Sequence, residues 1–170
     1  MRGDAALVLV AHHEAGHATW YATRGLPPAA VRIHPGWFGR GPAGRCVVDG
    51  GWVDDPRDAA GGALTGPEAE AAYRRRAGQP WPAALADAYA ASGDDIADAR
   101  GYLAELGDPT AAWAPVRAAA RAHVLAHRAA IEAVAAALLR RRRLTGGQVR
   151  ELVRRHRDAP YGVVRRRPTL

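Results

Sequence analysis

Residues 5–24 (AALVLVAHHEAGHATWYATR), apolar throughout 5–11 and again at Ala15, Ala18 and Trp20, read as one helix. Gly25 closes it and Pro27-Pro28 lie beyond as a stop. The pattern then changes. VRIHP (31–35) and RCVVD (45–49) are short β-type runs separated by the Gly/Pro-rich WFGRGPAG, which predicts a small hairpin or meander. Residues 54–66 read as a loop, although 59–64 can open the next helix. A helical pattern covers 68–76, AGQPWP (77–82) breaks it, and helix returns over about 83–91 and again over 92–106. Gly107-Asp108-Pro109 is a second break. The longest helix is expected over about 112–143, with Pro115 in its first turn and Val124, Ile131, Val134 and Leu138 as its apolar stripe. Thr145-Gly-Gly-Gln148 fits a capping box ahead of a last helix over about 146–156. The fold class that follows is α+β, mostly α-helical, with one small antiparallel sheet. It forms a single domain over 1–157 and leaves a basic tail at 158–170.

Composition sharpens this picture. The 170 residues suffice for one core and not for two ordinary domains. Ala supplies 40 residues, so the core must rely on small side chains and close helix packing. All 24 basic residues are Arg, a bias that a GC-rich genome produces without selection for function. The net charge of +7 is unevenly placed: residues 1–116 carry 10 Arg and 14 acids (−4), residues 117–170 carry 14 Arg and 3 acids (+11). Cys46 is the single cysteine, which excludes an internal disulfide framework and a Cys-rich zinc module. The apolar stretch 5–11 is far shorter than the roughly 20 residues of a membrane helix. It also lacks the form of a signal-peptide core, so the expectation is a cytoplasmic protein without a membrane span.

The chemistry is concentrated in His13-Glu14-Ala15-Gly16-His17, an H-E-x-x-H sequence on the first predicted helix. Histidines at i and i+4 project from one face, so both imidazoles can bind one metal ion. The intervening Glu can take the proton of an attacking water and return it to a leaving amine. Zinc suits this task because it lowers the pKa of water to about 7 and polarises a carbonyl. Ala15 and Gly16 are poor choices for a solvated helix, but their small size lets another element approach closely. A catalytic zinc site needs a third protein ligand. The metzincin extension would place a His at 23, where the chain has Thr23. Glu68, Glu70, Asp87, Asp94, Asp95, Asp98 and the remaining histidines stay open as candidates.

HHEAGHATWYATRG resembles the HEAGHA signature that opens the peptidase domain of FtsH-type AAA proteases and their stand-alone relatives. The likeness continues in order. VRIHPG resembles that family's VTI-x-P strand, and LTGPEAEAAY its G-x-x-A-E helix. ASGDDIADARGYL resembles its G-A-x-N-D-I segment, and 122–153 its C-terminal helix with the L-x-G-x-E-V turn. The resemblance spans about residues 10–155. It implies a zincin-like metallopeptidase domain holding Zn2+, with His13 and His17 as ligands, Glu14 as catalytic base and Asp95 as third ligand. Glu70 matches the family's A-E glutamate and is expected to support the site rather than ligate. Asp94 is the alternative ligand, and Asp98, one turn beyond it, a supporting partner. Best-known family members carry an ATPase module and membrane helices. No G-x-x-x-x-G-K-[ST] phosphate loop occurs here, so the expected substrates are peptides or unfolded segments, unless an ATPase acts in trans.

Other features have plainer readings. His123 and His127 form a second i,i+4 pair without an intervening Glu and read as core or boundary residues. His12 faces about 100° from His13. His34 and His156 read as structural and solvated, and Ser92 as the N-cap ahead of Asp95. Cys46 reads as a small buried hydrophobe. Trp20 either lines the pocket or packs in the core. The five Trp residues lack the regular spacing of a nucleic-acid stacking platform. The strand at 45–49 or that at 31–35 is the candidate edge for pairing with a peptide backbone. The Arg clusters at 140–143, 154–157 and 165–167 read as solvated helix ends, and nucleic acid is not an expected partner. The alternative function is a catalytically inactive interaction module with a structural metal, whose basic tail meets nucleic acid or a protein. The oligomeric state is not legible.

Overall fold

The computed structural model describes residues 2–26, 28–36, 41–48 and 55–156. The basic tail at 158–170, the end of the 45–49 run, and Trp37 and Trp52 lie outside the described residues. The elements are α1 (Arg2–Thr23), β1 (Ala30–His34), β2 (Ala43–Val47), α2 (Pro56–Arg76), α3 (Trp81–Ala91), α4 (Gly93–Leu103), α5 (Pro109–Ala126), α6 (Arg128–Arg141), β3 (Arg143–Thr145) and α7 (Gly146–His156). The mostly helical α+β class is what the structure shows, with seven helices and a three-stranded antiparallel sheet among the described residues.

The sheet order is β2-β1-β3. β1 pairs with both neighbours, so the 31–35 run is the centre of the sheet and cannot serve as an edge; β2 remains an edge strand. Strand β3 is absent from the sequence reading. Its three residues are too short to show a period, and they pair because the turn before them is fixed. Arg142 takes a left-handed conformation (φ 62°) and its N–H caps α6 on the Leu138 carbonyl at 2.7 Å. The predicted capping box forms: Thr145 N–H donates to Gln148 Oε1 at 2.9 Å, and Gln148 N–H to Thr145 Oγ1 at 3.4 Å.

Two apolar clusters fill the interior. One joins α1, β1, α6 and α7 through Leu7, Val31, Ile33, Val134, Leu138 and Val149. The other joins α2, α4 and α5 through Leu64, Leu103, Val116 and small alanines. Helix α2 corrects the loop reading of 54–66, because it starts at Pro56 and runs unbroken to Arg76. Asp55 caps it, its side chain accepting from the Arg57 N–H at 2.8 Å. Gly61, Gly62, Gly66 and Pro67 lower its helix propensity, yet every residue from 59 to 71 is buried. Packing on all sides overrides propensity, and the glycines are what allow that packing. At Gly61 a Cβ would lie 2.5 Å from the Trp20 ring, and at Gly16 one would lie 2.5 Å from the Thr65 carbonyl oxygen. The close approach expected at Gly16 is therefore made by α2.

The helix expected over 112–143 is two helices. α5 begins earlier, at Pro109, so Pro115 sits in its second turn, and the chain bends by 76° at His127. No Gly or Pro marks this bend. It carries the chain from the α2 cluster to the α1 cluster, a tertiary requirement. Among the described residues no single helix is long and apolar enough to cross a membrane.

His123 is buried on this bend, its ring edge-on to Trp20 with centroids 5.0 Å apart. Burial, and then the nearby His127 and Arg24, push it down to about 3. A histidine held neutral in the fold contributes stability that is present above pH 6.5 and lost as pH falls from there toward 3. Acidification through this window should cost about 1.4 kcal/mol per pH unit from His123 alone. Denaturant melts of wild type and His123→Gln at stepped pH should show that slope only in wild type; equal slopes would refute the assignment.

Candidate metal centre

Helices α1, α2 and α4 and the edge strand β2 enclose a cleft of about 1040 Å³. Its floor is the turn of α1 that carries the half-buried His13 and the buried His17, one helical turn apart. The two Nε2 atoms lie 3.0 Å from each other. Asp95, at the start of α4, faces both: Oδ2 is 3.0 Å from His13 Nε2 and Oδ1 is 3.3 Å from His17 Nε2. These three side chains offer ligand atoms within 4.8 Å of one another and could hold a metal ion. Tetrahedral nitrogen and oxygen ligands at about 2.0–2.1 Å from zinc stand about 3.3 Å apart, close to what is found here.

The far side of each imidazole is fixed. His17 Nδ1 donates to the Gly62 carbonyl at 2.8 Å. His13 Nδ1 faces Glu70 Oε2 at 3.4 Å, and Glu70 is held in turn by Arg74, whose Nε donates to Oε1 at 2.8 Å. Both contacts leave Nε2 directed at the cluster, as a metal-binding histidine requires. Burial pushes His13 down, but hydrogen bonds to Asp95 and Glu70 outweigh it and bring it up to about 10. Burial likewise opposes charge on Asp95, yet bonds with His13 and His17 hold it well below the usual carboxylate range. The group is thus built to hold positive charge, and a metal ion would compete with protons for it.

Space for the ion comes from α2. A Cβ at Gly66 would stand 2.7 Å from His13 Nε2 and closer still to His17 Nε2. Nothing in the local sequence GPEAE marks this glycine for that role. Gly44 was missed too: a Cβ there would collide with the Glu14 side chain. Glu14 therefore packs directly on the edge strand. Burial raises its pKa, the histidines lower it, and the Cys46 backbone N–H bonds to its carboxylate; Oε2 has no hydrogen-bond partner.

The remaining candidates fall outside the cluster. Asp94 and Asp98 are exposed and line the cleft, with no bond to either histidine. Glu68 is fully buried and accepts from the Tyr89 hydroxyl at 2.9 Å. Asp87 is exposed and bonded by Gln79. His12 stacks on Tyr73 with centroids 4.1 Å apart. The His123–His127 pair gains no further ligand among the described residues. Trp20 is core, its Nε1 donating to the Asp58 carbonyl at 3.1 Å. Ser92 takes the N-cap position of α4 as expected, but its side chain makes no capping bond; the hydroxyl donates back to the Ala88 carbonyl at 2.8 Å. Cys46 is half-buried, packs against the α1 cluster and also lines the cleft; burial pushes its thiol up.

No protein-family model matches the chain, and none of the curated proteins matches it significantly.

Removing the Glu70 contact should loosen His13. In Glu70→Gln, metal affinity is expected to fall about 10- to 100-fold with the fold retained. Competition against a chelator of known affinity measures this; an unchanged affinity would show that Glu70 does not orient the ligand.

Proposed function

We infer that the chain is a zinc-dependent metalloendopeptidase of the FtsH-like, zincin-like class. The observation that carries this reading is the convergence of His13, His17 and Asp95 beside Glu14, in a cleft walled by an edge strand. The donor set of two imidazoles and a carboxylate suits Zn2+. When bound there, the metal supplies Lewis-acid polarisation of a peptide carbonyl and acidifies water.

The protein's own groups do the rest. His13 and His17 keep their orientation through Glu70 and the Gly62 carbonyl. Glu14 has a free carboxylate oxygen in a buried position that raises its pKa, so it can accept the proton of the attacking water and release it to the leaving amine. Among the described residues strand β2 is an outer strand of the sheet and lines the cleft, where an extended substrate can add as a further strand. Strand addition needs an extended backbone, so the expected substrates are peptides or unfolded segments, or chains delivered by an ATPase in trans.

Incubating the zinc-loaded protein with an unstructured peptide and with a stably folded protein tests the reading. Mass spectrometry should find new peptide-bond termini in the first and none in the second. Absence of cleavage in both would leave a metal-binding module without this activity.

A further inference from the structure

The outer face of the sheet carries a row of arginines that neither the metal centre nor the fold explains. In the β1–β2 register Arg32 lies opposite Arg45, and in the β1–β3 register Arg32 lies opposite Arg143. Three arginines therefore stand side by side on three adjacent strands, about 5 Å apart along the row. All three are exposed, and no acidic side chain among the described residues pairs with them. The three strands contain no Asp or Glu. The end of α6 adds Arg140 and Arg141 and the turn before β3 adds Arg142, all exposed, and that turn is tied to the sheet by the Ile33 N–H bonding the Arg142 carbonyl at 2.9 Å. Like charges directly opposite across strands destabilise a sheet. The register thus holds a cost that an anionic occupant would relieve.

The row also has a direction. It runs across the strands and ends at β2, where Arg45 lines the cleft that holds Glu14, His13 and His17. We propose that this face is a docking site for an acidic polypeptide segment, rich in Asp and Glu, of the substrate whose neighbouring residues enter the cleft. The proposal rests on the peptidase reading for its occupant. Continuity with the cleft selects that occupant: a chain lying along the row reaches the edge strand at Arg45, which lines the cleft. Carboxylates spaced along such a segment match guanidinium groups spaced along the row, and Arg binds them in planar pairs.

The test uses the full chain, zinc-loaded and carrying Glu14→Gln so that nothing is consumed. Binding of a labelled unstructured peptide with a run of Glu and Asp is measured beside the same peptide with Gln and Asn. The acidic peptide should bind roughly tenfold more tightly at low salt, and the difference should shrink at about 0.5 M salt. Arg32→Gln with Arg143→Gln, two residues away from the cleft, should abolish the preference. Circular dichroism and metal content should be unchanged and the melting temperature equal or higher. Equal binding of the two peptides, or a preference that survives the double substitution, overturns the proposal. So does tighter, Arg-dependent binding of single-stranded RNA or of phosphatidylserine vesicles. If wild type cleaves no peptide while the acidic preference holds, the peptidase reading falls and the docking site stands.

Discussion

Glu14→Gln is expected to keep its zinc and lose its activity. An amide cannot take a proton from water, and positioned acid–base groups contribute about 10²- to 10⁴-fold to such reactions. Peptide hydrolysis should fall by that factor while metal content stays at the wild-type level. The substitution is close to isosteric, which matters because the side chain packs against Gly44 with no room to spare. It also replaces a carboxyl whose charged form burial already disfavours, so folding should not suffer. Parallel measurement of zinc and of initial cleavage rates separates the outcomes. A variant that cleaves as fast as wild type would remove Glu14 from the mechanism. A variant that loses its metal would mean that Glu14 helps hold the ion.

Gly66→Ala is the second large effect, and two readouts should diverge. In an ordinary helix interior this change stabilises by about 0.5–1 kcal/mol. Here the new methyl would meet the ring nitrogens of both histidines. The imidazoles must swing away, or the space between them is filled; in either case the ligand set is broken. Zinc affinity should fall about 100-fold or more, while the metal-free protein stays within about 1 kcal/mol of wild-type stability. Calorimetric zinc titration and a denaturant melt of the apo form measure both. Retained affinity would show that Gly66 is a packing residue alone.

Both predictions depend on glycines whose importance the sequence conceals. The helix bearing His13 and His17 was legible because an i,i+4 pair needs nothing beyond local geometry. Asp95 became legible only through the likeness of ASGDDIADARGYL to a known segment; its distance to the histidines is set by how α4 packs on α2. Helix α2 was half hidden. Gly61, Gly62, Gly66 and Pro67 are loop signals in any local reading, and the three glycines are needed only because the helix is crowded by Trp20, Tyr21, His13 and His17. The bend at His127 leaves no local mark either, since RAHVLAHRAAIEAV is helical throughout and the turn serves the path between two cores. Register was the least visible feature. Nothing in RIH, GRC and RLT announces that their arginines share one row, because strand pairing decides it.

A zinc titration tests the proposed peptide-hydrolysing metal centre. Zinc is added back to chelator-stripped protein while cleavage of an unstructured peptide is followed. Activity should start near zero and rise to a plateau at one zinc per chain, and a protein carrying Asp95→Ala should stay flat across the same range. Hydrolysis that persists in the stripped protein, or that never appears as zinc is added, would rule out a zinc peptidase centre at His13, His17 and Asp95.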